Sequence, residues 1–108
     1  MRITNYLNDA DLGSAFKSYV ERRLHFALAR FGERVGAIAV RIAADGRTAR
    51  CRISAEVRPF GRVSVDESDA DMFAALDRAT GRIGRVFGRE LERARDARVG
   101  RESVRTAA

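Results

Sequence analysis

Five arginines recur at helical spacing in the stretch LDRATGRIGRVFGRELER, and their side chains are the main candidates for chemistry in this sequence. They are Arg78, Arg82, Arg85, Arg89 and Arg93. At 100° per residue these positions fall within about 80° of one another, and no acidic residue interrupts the run from Arg78 to Arg89. Like charges four residues apart cost roughly 0.2–0.5 kcal/mol per pair, whereas guanidinium groups bind phosphate strongly. The row therefore favours a surface for a polyanion over the alternative, an ordinary solvated face.

The distribution of charge along the chain supports this interpretation. The 108 residues include 21 Lys and Arg against 15 Asp and Glu, for a net charge of +6. Residues 78–108 hold nine arginines and four acids, a net of +5, which is nearly the whole excess. Every charged residue in the preceding segment, 64–77, is acidic. A basic C-terminal third of this kind indicates a nucleic acid or another polyanion as partner.

Few other side chains could take part in catalysis or metal binding. Cys51 is the one cysteine and falls in the inward register of an alternating strand, while His25 has no second histidine with which to form a metal site. No glycine-rich phosphate loop follows a predicted strand, and no acid–base pair can be assigned. We therefore predict a protein that is not an enzyme and uses no metal, cofactor or small-molecule substrate.

Length and composition limit the architecture and the compartment. A chain of 108 residues has room for one modest core. No apolar run approaches the roughly 18 residues of a membrane span, the first residues do not form a signal peptide, and a single cysteine suits a reducing compartment. We expect one cytoplasmic domain over residues 1–98, a flexible polar tail over residues 99–108, and no contact with membranes.

Hydrophobic periodicity predicts the order of the elements. Apolar residues at helical spacing predict a helix over residues 14–31, capped by Asp11 or Gly13 and ended at Gly32. Alternating apolar residues predict strands near 38–42, 49–57 and 63–65, with an Asp45-Gly46 hairpin turn, and a weaker strand near 2–6. Ser68 begins a capping-box pattern before the final helix. The resulting order, β-α-β-β-β-α, predicts an α+β fold with a single four-stranded sheet and two helices packed on one face.

Three glycines, Gly81, Gly84 and Gly88, lie on one flank of the final helix, between its basic and apolar faces. Each glycine costs up to about 1 kcal/mol relative to alanine in a helix interior. We favour close packing against the first helix or a neighbouring loop as the reason for them. The alternative is a bare strip along which a nucleic-acid backbone approaches.

One part of this helix resembles a known family. The run Asp71-Met72-Phe73-Ala74-Ala75-Leu76-Asp77 is similar to the start of the final helix in the bacterial ribosome hibernation promoting factors, which include the ribosome-associated inhibitor, or protein Y. Arg82, Arg85 and Arg89 fall on basic positions of that helix, and Arg22 and Arg23 lie near basic residues of the family's first helix. The order of elements is also that of the family, whose fold is akin to double-stranded-RNA-binding domains.

The resemblance implies a protein that binds the RNA of the small ribosomal subunit where messenger and transfer RNAs would sit, and so keeps idle ribosomes inactive. The RNA-binding residues we expect are Arg78, Arg82, Arg85, Arg89 and Arg93, with Arg22, Arg23 and Arg30 of the first helix as a second set. The three glycines depart from the family pattern, as does Asn5, which stands at an inward position of the first strand. The chain is therefore expected to be a divergent short form.

Two other functions are compatible with the sequence. One is a general module for structured RNA with no preference for ribosomes, and the other is a basic adaptor for an acidic protein. Arg41, Arg50, Arg52 and Arg62, on the open face of the sheet, are expected to be solvated, although they could extend an RNA surface. Phe60, at a turn tip, is expected to fold back on the sheet edge, although it could stack on a base.

Overall fold

The computed structural model describes residues 1–7 and 13–107, which form four strands and two long helices. The elements are β1 (Arg2–Leu7), α1 (Gly13–Leu28), a 3-10 segment (Ala29–Arg34), β2 (Val35–Asp45), β3 (Thr48–Val57), β4 (Arg62–Asp69) and α2 (Met72–Ala107). The predicted order β-α-β-β-β-α is confirmed.

The strands form one mixed sheet in the order β1-β2-β3-β4. The strands β1 and β2 run parallel, which requires a crossover, and α1 provides it. The other two pairings are antiparallel, as expected for strands joined by short turns. This arrangement leaves one face of the sheet for the helices and the other open.

The core lies between the helices and the inward face of the sheet. Alternation in β3 buries every second residue, from Ala49 to Val57, because successive side chains of a strand point to opposite faces. Apolar residues of both helices complete the same cluster, and its largest fully buried members include Leu24, Leu28, Ile83 and Phe87. The prediction that both helices pack on one face of a single sheet is confirmed.

Several predicted boundaries move by a few residues. The helix α1 ends at Leu28, earlier than predicted. The chain then turns at Gly32, the predicted stop residue, whose φ of 55° suits glycine. The hairpin loop is Gly46-Arg47 rather than Asp45-Gly46, since Asp45 pairs with Thr48. Glycine with a φ of 64° at the first loop position fits a type II′ turn. The expected cap Asp11 lies outside the described residues.

The start of α2 differs from the prediction. Ser68 is part of β4, which continues to Asp69, so it does not cap the helix. Asp71 is the cap instead, because its Oδ1 accepts a hydrogen bond of 3.0 Å from the backbone N–H of Phe73. The carboxylate also suits the positive end of the helix dipole.

The helix α2 is long, with 36 residues, and continues past the sheet. Residues 92–97 are all exposed, so the helix leaves the core soon after Leu91, which is partly buried. The backbone is helical through Ala107, and residue 108 lies outside the described part of the chain. The division into a domain over residues 1–98 and a tail over residues 99–108 stays a prediction.

Candidate nucleic-acid interface

The helix α2 presents two chemically different faces. Leu76, Ile83 and Phe87 are fully buried against the sheet and α1. The five arginines of the predicted row, from Arg78 to Arg93, are all exposed on the other side. The predicted opposition of an apolar and a basic face is therefore present in the structure.

The first two arginines of the row are not free. Arg78 forms an ion pair with Asp69 and also donates a hydrogen bond of 3.0 Å to the carbonyl of Ser68. The Nη1 of Arg82 lies 3.0 Å from Oε1 of Glu67. The sequence indicated a row without neutralising acids, and this was wrong for these two residues, because the end of β4 brings acids that are distant along the chain beside α2.

The next two arginines are different. Arg85 and Arg89 are exposed and have no ion-pair partner among the residues that the structure describes. Among the described residues Arg93 pairs with Glu90 alone, at 3.8 Å and one turn away, and the high exposure of Arg93 means that this pair contributes little. The unneutralised charge of α2 is thus centred on Arg85 and Arg89, which are one turn apart on the same face.

Two members of the predicted second set, Arg23 of α1 and Arg30 of the segment that follows it, lie beside Arg85. Arg30 donates a hydrogen bond of 3.5 Å to the carbonyl of Gly84 in α2, and its guanidinium sits 4.7 Å from the centroid of the Phe31 ring. Arg22 is exposed and makes no ion pair within the described part of the chain. Arg23 and Arg30 line one groove with Arg85. We use the name basic face for the following arginines of the two sets: Arg22, Arg23 and Arg30 with Arg78, Arg82, Arg85 and Arg89 of α2.

Arg23 has a structural partner between the helices. Its Nε lies 3.2 Å from Oδ1 of Asp77, close enough for an ion pair, although the N–H is not aligned as a hydrogen bond. The hydroxyl of Tyr19 donates to the same oxygen at 2.8 Å, and this hydrogen bond is the main reason why the pKa of Tyr19 is raised. Arg23 is therefore only partly available to a ligand.

Two of the glycines explain how closely the helices approach. A Cβ added at Gly84 would lie 3.2 Å from the carbonyl oxygen of Ala27, and one added at Gly88 would touch the Phe31 ring at 3.5 Å. The preferred interpretation, close packing against the first helix and the residues that follow it, holds for these two positions. At Gly81 the nearest atom would be Nη1 of Arg85 at 3.8 Å, so no neighbouring element requires glycine there.

A groove of about 220 Å³ runs between the two helices within the basic face. Its lining includes Arg23, Arg30 and Arg85, with Gly81 and Gly84 as its bare side. It also includes Phe26, which is 85% exposed and which was not among the residues predicted from the sequence. The signal was available, because Phe26 lies about 140° around α1 from the centre of the buried positions, an unusual place for phenylalanine.

The chain is similar to known proteins over most of its length. The sequence model described as "Sigma 54 modulation protein / S30EA ribosomal protein" matches residues 4–95. This chain belongs to that family. The N-terminal domain of protein Y from Thermus thermophilus is 31% identical over 82% of this chain and 98% of its own, with a TM-score of 0.71. A ribosomal subunit interface protein from Coxiella burnetii shares the fold at 14% identity, with a TM-score of 0.75 over 85% of this chain and 99% of its own. No curated protein sequence matches significantly.

The family assignment agrees with the one that the sequence indicated from residues 71–77. The structure shows what this run of the S30EA-type helix does. Asp71 caps α2, the Phe73 ring meets Phe16 and Tyr19 edge to face at 5.2 and 5.3 Å, and Asp77 accepts the Tyr19 hydroxyl. The most recognisable part of the sequence therefore joins the two helices, and the arginines that follow it form the exposed surface.

The remaining predicted candidates lie away from the basic face. On the open face of the sheet, Arg50 and Arg52 both bond to Asp66, and these bonds hold the pKa of that carboxyl below its usual value. Phe60 does not fold back on the sheet edge as expected, because the turn leaves it 91% exposed. Asn5 donates a hydrogen bond of 3.5 Å to Glu21 of α1.

The surroundings of Cys51 and of the potential metal ligands bear on the chemistry open to the described ranges. Cys51 is fully buried, and burial is the main cause that raises its pKa to about 12. Within residues 1–7 and 13–107, no group of three His, Cys, Asp or Glu side chains could hold a metal ion. In the same ranges no helix is both long and apolar enough to cross a membrane.

Proposed function

We propose that this protein binds the small ribosomal subunit through the basic face and blocks the sites that messenger and transfer RNAs occupy. The observation that carries the proposal is the pair Arg85 and Arg89, exposed and without ion-pair partners among the described residues, at the centre of a basic surface. Membership of a family described as ribosomal, and similarity to a ribosomal subunit interface protein, support a ribosomal partner.

The charge pattern favours RNA phosphate as the chemical group that is bound. Each arginine that neutralises a phosphate releases condensed counterions, which gives binding energy and a strong dependence on salt. Guanidinium groups that already pair with a carboxylate release fewer counterions when they meet a phosphate. Arg78 and Arg82 should therefore contribute less binding energy than Arg85 and Arg89. Binding should therefore be centred on Arg85 and Arg89 rather than on Arg78 and Arg82, which lie nearer the start of α2.

The mechanism requires occupancy alone. The helices are fixed to each other by the Tyr19–Asp77 hydrogen bond and by Gly84 against Ala27, so the backbones that carry the arginines are ordered before they meet RNA. Backbones that are already ordered lose little conformational entropy on binding, which favours a stable complex. A protein held in the cytoplasm on the subunit in this way excludes other RNAs sterically, without a cofactor or a chemical step.

Charge reversal tests the proposal with a matched control. The variant Arg85→Glu/Arg89→Glu should lose cosedimentation with purified small subunits in a sucrose gradient. The control Arg47→Glu/Arg62→Glu makes the same change of charge at two exposed arginines, one in the hairpin loop and one on the open face of the sheet, and should still cosediment. Circular dichroism should show both variants folded, since all four side chains are exposed.

The outcomes separate this function from its competitors. Equal loss in both variants would mean that total charge decides binding, as in a general RNA-binding module. Unchanged cosedimentation of the Arg85/Arg89 variant would rule out the basic face as the contact. Binding that survives nuclease treatment of the partner would point to an acidic protein instead.

A further inference from the structure

Phe26 combines properties that a purely structural role does not explain. It is 85% exposed, although a phenylalanine side chain ordinarily gains about 1.5–3 kcal/mol from burial. It makes no ring–ring contact among the described residues, unlike Phe16, Phe31 and Phe73. Its surroundings combine apolar and charged groups, because it lines the inter-helix groove together with Ala27 and with Arg23, Arg30 and Arg85.

An exposed aromatic ring among arginines suits an unpaired nucleotide. The flat apolar face of a base can stack on phenylalanine, while its phosphates meet the guanidinium groups around it. In double-stranded RNA the bases are stacked on one another, so their faces are not available to the Phe26 ring. An apolar protein segment would bury the ring but would also desolvate Arg30 and Arg85 without neutralising them.

The groove has the space and the fixed walls that such a nucleotide requires. Its volume is about 220 Å³, and the missing side chain at Gly81 keeps one side open. Arg30 is held in place on the other side by the Gly84 carbonyl and the Phe31 ring. Its remaining N–H donors can therefore meet a phosphate at little cost in side-chain entropy.

We propose that the groove between α1 and α2 is a binding site for one unstacked nucleotide of single-stranded RNA, whose base stacks on Phe26 and whose phosphates contact Arg30 and Arg85. This inference rests on the proposed function and deepens it, since it makes part of the recognised RNA single-stranded. It distinguishes the groove from the rest of the basic face, where phosphate contact alone is expected.

A single-tryptophan variant reports stacking directly. The chain contains no tryptophan, so Phe26→Trp introduces one fluorophore at the site. Short single-stranded oligoadenylate should quench its emission at near-physiological salt, and a blunt-ended two-strand duplex of equal phosphate content, which has no unpaired loop, should not. The variant Phe60→Trp, at an aromatic residue that is also highly exposed, serves as the control and should be quenched by neither RNA. If fluorescence anisotropy shows that the Phe26→Trp protein is saturated with oligoadenylate and its emission is still not quenched, the proposal is overturned.

Affinity measurements separate a stacking ring from a merely apolar one. Loss of one stacked base weakens binding roughly 5- to 150-fold, so Phe26→Ala should reduce affinity for the oligonucleotide by a factor in that range. Phe26→Leu should do the same because it is apolar without a π-face, while Phe26→Tyr should keep the affinity. If Phe26→Leu binds as tightly as the unchanged protein, stacking is refuted.

Cosedimentation with small subunits distinguishes failure of this inference from failure of the proposed function. If Arg85→Glu/Arg89→Glu abolishes binding while Phe26→Ala leaves it unchanged, the basic face binds the subunit and the nucleotide site is refuted. If both variants bind normally, the proposed function fails as well. Loss in the arginine variant with weakened binding in Phe26→Ala supports both.

Discussion

Replacing the glycines of α2 one at a time by alanine tests how the helices pack. Alanine is favoured over glycine in a helix interior by about 1 kcal/mol, so each substitution should stabilise the protein unless the new Cβ meets a fixed neighbour. The three positions differ in that respect. At Gly81 the nearest atom is the flexible end of Arg85 at 3.8 Å, at Gly88 it is the Phe31 ring at 3.5 Å, and at Gly84 it is the Ala27 carbonyl oxygen at 3.2 Å.

These distances give an order of stability. Gly81→Ala should raise the free energy of unfolding by about 1 kcal/mol, which corresponds to roughly 4–8 °C in the melting temperature of a domain this size. Gly88→Ala adds an ordinary van der Waals contact and should gain a similar or smaller amount. At Gly84 the backbone oxygen cannot move without shifting α1, and overpacking costs about 1–3 kcal/mol, so this variant should be neutral or less stable.

Thermal and urea unfolding followed by circular dichroism would measure all three variants. The expected order of stability is Gly81→Ala highest, then Gly88→Ala, then Gly84→Ala. A Gly84→Ala protein stabilised as much as Gly81→Ala would refute the close contact between Gly84 and Ala27. It would also remove one of the two contacts by which we infer that the helices are fixed to each other.

Three further predictions concern charged and titratable groups. Glu67→Gln frees Arg82 from its partner, so RNA binding should tighten and its salt dependence, measured as log affinity against log salt, should steepen by about 0.7–0.9; an unchanged slope would mean that Arg82 meets no phosphate. Asp66 has a lowered pKa because Arg50 and Arg52 bond to it, so its contribution to stability is present above its ordinary pKa of 3.8 and is lost as pH falls through the lower folded value. In acid titrations followed by circular dichroism, Asp66→Asn should therefore lose less stability than the unchanged protein, and an equal loss would contradict this assignment. The Cys51 thiol, buried and with a pKa of about 12, should not react with Ellman's reagent at pH 8 in the folded protein but should react fully in urea; rapid reaction without urea would contradict its burial.

Much of the fold could be predicted from the sequence because its patterns are local. The alternation from Ala49 to Val57 and the helical spacing from Phe16 to Leu28 are properties of short segments, and burial follows from them directly. Boundaries were less accurate because they depend on neighbours. Ser68 fits a capping pattern, but pairing with Arg50 in β3 keeps it in a strand, so Asp71 caps the helix instead.

The candidate site was predicted only in part, for a physical reason. Helical spacing correctly predicts that five arginines lie on one face of α2. It cannot predict which acidic residues of β4 lie beside them. Asp69 precedes its partner Arg78 by 9 residues and Glu67 precedes Arg82 by 15, and only the turn into α2 brings these pairs close. Phe26 was missed because the groove that gives it a role forms between two helices and exists in neither alone.

The central claim is that the basic face recognises the small ribosomal subunit rather than RNA in general. The most direct test is sucrose-gradient cosedimentation of the unchanged protein with purified small subunits, at near-physiological salt and in excess duplex RNA. We predict that the protein still travels with the subunit, because the basic face and the nucleotide groove make contacts with the subunit that they cannot make with a duplex. Complete transfer of the protein to the duplex competitor would contradict the claim.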